Sequence, residues 1–389
     1  MPVLPTEIPP QAPPFYIPTA LDGLVAALHR PLNTQPMVEN QPDTMPEGAQ
    51  SAHPFEGGSR TGLDRIAHLI ASGSMTRYSK TRNGLLGTDF STKLSAWLAL
   101  GCVTARQVHH EMLRFEDGAD DGLWGNVLGY GKGQNAGTAA VRFELLWRDY
   151  MRLCTRKFGT RLFNVAGFRN DKSYPWTTPN PNDPVASNKL KRFLNGTTGT
   201  GLIDASQREL FFTGYTSNRA RQNVASYLSK HLGLNWMLGA EWYECMLVDY
   251  DVSSNWGNWQ YVAGVGNDPR GTSRVFNPVK QASDYDPKGE YITRWVPELR
   301  GLSDSQKIFQ PWQMSYEEMN QRDLQDSEMI KDPLKQIQFQ GTKPRRGGGK
   351  YGGSSRGRER SQGRKGSRAG RREMECGVTD QERQDGWVR

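Results

Sequence analysis

Three side chains that could take part in chemistry share one face of a long predicted helix. Glu144, Trp147 and Arg148 stand at positions i, i+3 and i+4, a spacing that makes side chains neighbours on a helix surface. They bring together a hydrogen-bond acceptor, an aromatic ring and a permanent cation. Taken alone, they are more typical of a Glu–Arg surface pair beside a core tryptophan, so a site at this place needs further support.

A second cluster lies at a predicted helix start, in Ser91-Thr92-Lys93-Leu94-Ser95. Hydroxyls and backbone N–H groups at a helix N-terminus suit an anion, because the unpaired amides and the helix dipole both point there. By itself, however, the segment indicates an ordinary helix cap.

Metal chemistry has little support in the sequence. Asp249 and Asp251 form an Asp-x-Asp pair, which in isolation favours a metal site or a helix cap. The cysteines are far apart and form no Cys-x-x-Cys pair, so neither a zinc site nor a disulfide framework is predicted. They are Cys102, Cys154, Cys245 and Cys376.

Composition limits the remaining classes of protein. No stretch of 18 or more apolar residues occurs, and the proline-rich N-terminus lacks the layout of a secretory signal. We therefore expect an intracellular protein without a membrane span and leave the compartment open. The formal charge of +8 comes from residues 341–372, which contain twelve Lys/Arg and one acidic residue. Their Arg/Gly runs resemble RNA-binding segments, although a solvated spacer or a nuclear-import signal explains them equally well.

Periodicity predicts one mainly α domain at residues 57–310. The strongest helix is Ala139–Phe158, bracketed by Gly137 and Gly159, and β patterns are scarce. Residues 1–56 are predicted to be a largely disordered linker, and residues 311–389 a disordered tail that includes the basic segment 341–372.

Four segments resemble the photolyase and cryptochrome family, and their sequences are most similar to its cryptochrome DASH branch. They occur in the family's order and together span about residues 60–300; they are Arg82–His109, Phe143–Arg152, Gly201–Trp236 and Asp249–Gly271. The resemblance implies the helical FAD-binding domain of that family, with a disordered N-terminal linker and an Arg/Gly-rich tail.

The resemblance implies FAD as the cofactor, folded into a U at the centre of the helical domain, and no metal. It places Arg221 beside Asp249 at the isoalloxazine, Asp251 at the ribose or flavin edge, and Tyr78 with the hydroxyl segment at the diphosphate. Asn255 is expected to face flavin N5, where an amide cannot donate its proton as a protonated Asp can, which favours the fully reduced anion. The matching cofactor positions are Tyr78, Ser91, Thr92, Lys93, Leu94, Ser95, Glu144, Asn218, Arg221, Asp249, Asp251 and Asn255.

For repair, the resemblance gives the helix triad a function. It implies that Glu144 bonds the damaged bases, Trp147 stacks on them and Arg148 stabilises charge, with Asn255 completing the catalytic set. A cyclobutane pyrimidine dimer must leave the base stack to reach such a pocket.

The resemblance also implies an electron relay that photoreduces the flavin. Trp259 and Trp236 match its first two members, but its third position falls on Phe193, where most relatives have tryptophan. Phenylalanine is much harder to oxidise, so the usual exit to solvent is interrupted, and Tyr261 is a candidate substitute donor.

DNA is the expected partner, preferentially single-stranded and carrying pyrimidine dimers, because DASH relatives flip bases poorly from a stable duplex. The positions that match DNA contacts are Trp147, Arg148, Asn218, Arg219, Arg274 and Gln281. The signature histidines of (6-4) photolyases are not present in Thr213–Arg221. The chain is expected to be a monomer, and RNA is a further candidate partner through the Arg/Gly tail.

The family normally begins with an α/β antenna domain, which this sequence lacks. Pro13–Leu24 resembles the connector that follows it. The antenna folate, methenyltetrahydrofolate, is therefore not expected. A shortened product, an incomplete gene model and a single-domain variant all remain open.

Three functional hypotheses follow. The first is a blue-light-dependent photolyase that repairs cyclobutane pyrimidine dimers in single-stranded DNA. The second is a blue-light photoreceptor or RNA-binding regulator without repair activity, and the third is an inactive truncated product.

Overall fold

The computed structural model describes Asp22 and residues 44–180, 182–268 and 275–338. The chain divides into two units, residues 1–40 and 41–389, and all described residues except Asp22 belong to the second. The disorder predicted for 341–372 and most of the predicted linker lie outside the described residues.

The described chain consists of helices joined by turns. They are α1 (Ser59–Ala71), α2 (Ser74–Thr81), α3 (Ser95–Ala99), α4 (Ala105–Asp117), α5 (Asp121–Trp124), α6 (Ala136–Phe158), α7 (Pro184–Asn195), α8 (Gly201–Thr213), α9 (Asn218–Ser226), α10 (Trp236–Met246), α11 (Val252–Ala263), α12 (Pro278–Tyr285), α13 (Glu290–Trp295), α14 (Ser305–Phe309), α15 (Tyr316–Asn320) and α16 (Glu328–Lys331). Short 3₁₀ turns span Gly159–Phe163, Pro297–Leu299 and Pro311–Gln313, and a π turn spans Tyr227–His231.

The prediction of a mainly α domain is confirmed. Within the described ranges no strand is present, and one isolated parallel bridge joins Thr177 to Leu234. No helix among these residues is long and apolar enough to cross a bilayer.

Helix α6 begins three residues before its predicted start. Asn135 and Thr138 form a reciprocal capping box that begins the helix. Gly137, which the sequence analysis placed outside the helix, lies inside it at the crossing with α2. A Cβ built there would lie 2.1 Å from the Thr76 carbonyl oxygen, so glycine is needed for the close approach of the two helices.

Helices α8 and α11 carry little of the one-sided pattern of a surface helix, because they are buried almost all round. All nine residues of α9 are buried, although its sequence is NRARQNVAS. Buried polar side chains need partners, so such a helix indicates a polar interior at this place.

The ordered body extends beyond both predicted boundaries. At the C-terminal end, Leu324, Met329 and Ile337 are buried, and the Leu334 N–H donates to the Thr198 carbonyl over 2.8 Å. Disorder predicted from residue 311 is therefore wrong for 311–338. The elements there are single turns held by tertiary contacts, which leave no helical periodicity in the sequence.

At the N-terminal end, part of the predicted linker packs on the domain. Phe55 lies with its ring centroid 5.8 Å from that of Trp97 and 5.3 Å from that of Tyr215. The Arg300 guanidinium also donates to the Glu47 carbonyl over 2.7 Å. One aromatic anchor in irregular backbone gives no periodic signal, so composition alone assigned this stretch to the linker.

Candidate functional site

The hydroxyl segment forms a buried turn before the short helix α3. Ser91, Lys93 and Ser95 are all nearly inaccessible, and Lys93 has φ 58°, in the left-handed region. The N-cap position of α3 falls on Leu94, whose aliphatic side chain cannot cap, so the capping interpretation does not apply. The helix begins at Ser95, because Lys93 turns the chain out of helical geometry just before it.

Arg65 fixes the backbone of this turn. Its Nε donates to the Thr92 carbonyl over 2.9 Å, and its Nη1 pairs with Asp89 at 2.8 Å. The Ser95 hydroxyl, by contrast, has no hydrogen-bond partner among the described residues. The turn therefore presents a buried hydroxyl that is available to a ligand.

Two adjoining cavities open beside the turn, and Ser95 lines both. The first has about 370 Å³ of empty volume and is lined by Ser95, Ala99, Arg148, Arg221, Leu247, Asp249, Asp251, Ser254, Asn255 and Asn258. The second has about 310 Å³ and is lined by Tyr78, Thr92, Leu94, Ser95, Leu98, Val141, Glu144 and Leu145. The structure thus brings together most of the predicted cofactor positions.

Arg221 of α9 pairs with Asp249 at the wall of the first cavity. Arg221 Nη2 lies 2.8 Å from Asp249 Oδ2 and 3.1 Å from Oδ1, and Arg221 Nε donates to the Thr216 carbonyl. Burial disfavours the charged guanidinium, but the Asp249 carboxylate outweighs burial and raises the pKa of Arg221. The predicted pair is present, and its guanidinium keeps its charge.

Asp251 caps helix α11 and also lines the first cavity. Its Oδ1 accepts from the Ser254 N–H at 2.9 Å, and its Oδ2 accepts from Arg152 Nη2 at 2.8 Å. Burial opposes ionisation, but these hydrogen bonds outweigh it and lower the pKa of Asp251. Among the described residues no cluster of His, Cys, Asp or Glu is arranged to hold a metal.

Two asparagines of α11 line the first cavity, and each has a buried side-chain oxygen without a hydrogen-bond partner among the described residues. Asn255 Nδ2 donates to the Ala240 carbonyl at 2.9 Å, and Asn258 Nδ2 donates to the Ser254 carbonyl at 2.7 Å. Neither Oδ1 has a hydrogen-bond partner in the part of the chain that the structure describes, and the same is true of Asn218 Oδ1 at the start of α9. Buried acceptors of this kind take a hydrogen bond from a ligand or from ordered water.

These groups fit the FAD that the resemblance implies. A flavin offers ring N–H donors to amide oxygens, and a diphosphate accepts from a hydroxyl and from backbone amides. Asn255, Asn258 and Asn218 supply the acceptors, while Ser95 supplies a hydroxyl. Asn258 was missed in the sequence because buried side chains of α11 show no distinguishing pattern.

The helix triad is divided between the two cavities. Glu144 lines the second cavity and forms an ion pair with Arg82, a residue that the sequence analysis did not assign to the site. Arg148 lines the first cavity, donates to the Leu98 carbonyl over 2.8 Å and lies 3.9 Å from Asp251. Burial and the neighbouring Arg152 lower the pKa of Arg148.

Trp147 lies beside the cavities and is partly exposed. Its ring meets that of Tyr261 edge-on, with 5.8 Å between centroids, and packs near Phe143 at 6.3 Å. Tyr261 therefore contacts the triad, and its proposed use as a substitute electron donor stays a prediction.

The three predicted relay residues are fully buried. Trp259 meets Tyr243 edge-on at 5.3 Å, and Trp236 Nε1 donates to the Val165 carbonyl at 3.1 Å. Phe193 lies on α7.

Two of the predicted DNA-contact residues, Arg219 and Gln281, are joined by a hydrogen bond. Arg219 is buried, donating to Asn83 at 2.7 Å and to Gln281 at 3.4 Å. Its guanidinium also lies over the Tyr285 ring. Arg274 lies outside the described residues. The DNA contact expected of Asn218, Arg219, Arg274 and Gln281 stays a prediction.

Comparison with known proteins identifies the family of the domain. Residues 141–340 match the family model described as the FAD binding domain of DNA photolyase. A relative from Neurospora crassa, named as a mitochondrial cryptochrome DASH, is 54% identical over 85% of this chain and 46% of its own. A Gibberella zeae protein with the cryptochrome DASH name is 52% identical over 89% of this chain and 50% of its own. The chain therefore spans about half the length of these curated relatives.

Solved structures with the same fold include a cryptochrome and a photolyase. The Synechocystis cryptochrome is 43% identical with a TM-score of 0.62, over 71% of this chain and 52% of that one. A class III photolyase from Agrobacterium tumefaciens is 27% identical with a TM-score of 0.59, over 72% of this chain and 53% of that one.

Proposed function

Because the chain belongs to the family of DNA photolyases and cryptochromes, we propose that it binds FAD and uses blue light to split cyclobutane pyrimidine dimers in single-stranded DNA. The observation that carries this proposal is that the residues suited to a flavin and the residues suited to damaged bases line two adjoining cavities that share Ser95. Unsatisfied acceptors and the Arg221–Asp249 pair suit a flavin, and Glu144 and Arg148 stand at the walls of the same cavities.

In this proposal, some residues of the chain bind the flavin and others bind the damaged bases. Asn255 and Asn258 accept hydrogen bonds from the flavin, and Ser95 donates to the diphosphate. Arg82 holds Glu144 in position to accept from the damaged bases, Trp147 offers its face for stacking, and Arg148 stabilises negative charge on the opened dimer. Bound FAD would supply an electron in light and recover it, so the repair would have no net redox change.

The first test is the visible absorption of the purified chain before and after blue light with a reductant. Flavin bands at about 450 nm that bleach in light support the cofactor. A colourless protein that takes up no added FAD contradicts it.

The second test is repair of a thymine dimer in single-stranded DNA by chemically reduced protein. Repair is expected in the wild type and is lost in Trp147→Ala and Glu144→Gln. Leu146→Ala, an exposed neighbour on α6, is the matched control and repairs normally. FAD binding without repair excludes the photolyase and leaves a photoreceptor.

That second candidate, a light sensor that binds RNA, is favoured by the twelve Lys/Arg of residues 341–372. Light-dependent retention on single-stranded RNA, lost when these residues are deleted, supports it. Equal retention in light and dark excludes it.

A further inference from the structure

The last described residues, Ile337 and Gln338, lie against the start of helix α12. Ile337 is buried, and its N–H donates to Gln310 Oε1 over 3.2 Å. The carbonyl oxygen of Gln338 lies 3.5 Å from Nδ2 of Asn277, whose side chain caps α12. The described part of the chain therefore ends beside the N-terminus of α12.

Helix α12 connects this point to the walls of the site. Gln281 lies one turn into α12, and its Oε1 accepts from Arg219 Nη1 at 3.4 Å. Arg219 Nη2 donates to Asn83 at 2.7 Å. Asn83 directly follows Arg82, which pairs with Glu144 at the wall of the second cavity. A continuous set of contacts thus joins the end of the described chain to the pocket proposed for the damaged bases.

The positive charge of the chain lies in the sequence directly after this point. Residues 341–372 carry +11 out of a formal charge of +8, which leaves −3 for the rest of the chain. Lys343 is five residues beyond Gln338, and five residues span at most about 18 Å even when fully extended. The first cation of this segment is therefore held near the start of α12. Lys365 is 27 residues beyond Gln338, so no such short limit holds for it.

This arrangement suits the backbone of a nucleic-acid strand that continues past the pocket. Each nucleotide beside a bound dimer carries a phosphate, and Lys or Arg side chains that neutralise phosphates gain affinity by releasing counterions. The rest of the chain, with a net charge of −3, has no overall attraction for such a strand. Contacts to phosphates position a strand without reading its sequence, as repair of dimers at any position requires.

We propose that the basic segment 341–372 binds the phosphates of the same single DNA strand whose dimer occupies the pocket, an inference that rests on the proposed function. The cations nearest the domain, Lys343, Arg345 and Arg346, make the contacts that hold the strand at the site. The distal cations contribute less, because their distance from the pocket is not limited by the chain. The segment is then part of the repair surface, and neither a spacer nor an RNA-binding element.

Two full-length variants with the same loss of charge test this position dependence. The proximal variant carries Lys343→Gln, Arg345→Gln and Arg346→Gln, and the distal variant carries Lys365→Gln, Arg371→Gln and Arg372→Gln. Each set removes one lysine and one Arg-Arg pair, so the two are matched in residue type as well as in charge.

Fluorescence anisotropy in the dark measures the affinity of each protein for a single strand with one central thymine dimer, over a series of salt concentrations. Each phosphate contact to a single strand contributes about 0.7 to the slope of log K against log salt. The proximal variant should therefore lose about 2 from the slope, and the distal variant less than half as much. Repair at saturating strand concentration should keep the wild-type rate in both variants, so that KM rises while kcat does not change.

Equal losses in the two variants overturn the inference, because they show attraction by total charge without regard to place. Wild-type slopes in both variants also overturn it and leave the segment as a spacer. A proximal variant that loses affinity for single-stranded RNA but keeps it for damaged DNA assigns the segment to an RNA partner instead. In all three cases repair by the wild type leaves the proposed function standing. A wild type that binds damaged and undamaged strands equally and repairs neither contradicts both.

Discussion

The Arg221 guanidinium and the Asp249 carboxylate form a buried pair in which one nitrogen, Nη2, lies within 3.1 Å of both carboxylate oxygens. The side chains are 7% and 1% exposed, so neither charge has water to replace its partner. Removing one partner from such a pair costs far more than the pair itself contributes.

Asp249→Asn is therefore expected to lower the free energy of unfolding by about 3–5 kcal/mol, because it leaves Arg221 charged and buried. FAD affinity should fall as well, since the pair lines the first cavity. Asp284→Asn, which breaks the exposed pair with Lys280, is the control and should cost less than about 1 kcal/mol. Denaturant titration measures both, and equal losses in the two variants contradict this account.

Ser95→Ala separates a binding role from a structural one. The Ser95 hydroxyl is buried without a hydrogen-bond partner among the described residues, so removing it should leave the apoprotein as stable or stabilise it slightly. Loss of a hydrogen bond to the charged diphosphate should weaken FAD binding by about 1.5–3 kcal/mol. Flavin fluorescence titration of the apoprotein gives the affinity. Unchanged affinity removes Ser95 from the cofactor site.

Gly137→Ala tests the close crossing of α2 and α6. The added methyl would lie 2.1–2.4 Å from backbone atoms of Met75 and Thr76, which cannot rotate away as a side chain can. The helices must separate, and we expect the free energy of unfolding to fall by about 3 kcal/mol. Gly57→Ala is the control, because a Cβ there meets nothing within 4 Å. Thermal melts of the two variants that agree with the wild type show that the crossing is looser than described.

The helices that are polar on one side were the most accessible to sequence analysis. Helix α6 has a strong apolar repeat, and its C-terminal end at Phe158 was predicted correctly. Its start was not, because Gly137 terminates helices in general but here permits a close packing contact. That distinction depends on α2, which is distant in sequence.

The site was predictable only where the resemblance named residues. Arg221 and Asp249 are separated by 28 residues, and no periodicity connects them. Three site residues were missed because each matters only through what folding places beside it. Arg82 pairs with Glu144, Arg152 pairs with Asp251, and Asn258 lines the first cavity. The single-turn elements of 311–338 were missed for a related reason, since tertiary contacts rather than propensity hold them.

Glu209 should make the stability of the domain depend on pH. It lies buried on α8 and accepts from the Tyr291 hydroxyl at 2.7 Å, and burial raises its pKa to about 7. The folded state favours the protonated acid, so protonation of Glu209 stabilises the domain. This stabilisation is complete below the ordinary carboxyl pKa near 4.5 and is lost as the pH rises through 7. The full shift corresponds to about 3 kcal/mol.

We therefore expect the melting temperature of the wild type to fall between pH 5 and pH 8. The melting temperature of Glu209→Gln should fall less over the same range. Burial also raises the pKa of Asp204 and of Asp286 to about 6. The dependence of the melting temperature on pH should therefore be weaker in Glu209→Gln but still present. Glu317→Gln, at an exposed position on α15, is the control and should keep the wild-type slope. A Glu209→Gln profile parallel to the wild type would show that Glu209 is ionised in the folded state across this range. Its hydrogen bond from Tyr291 would then stabilise the carboxylate more than burial opposes it.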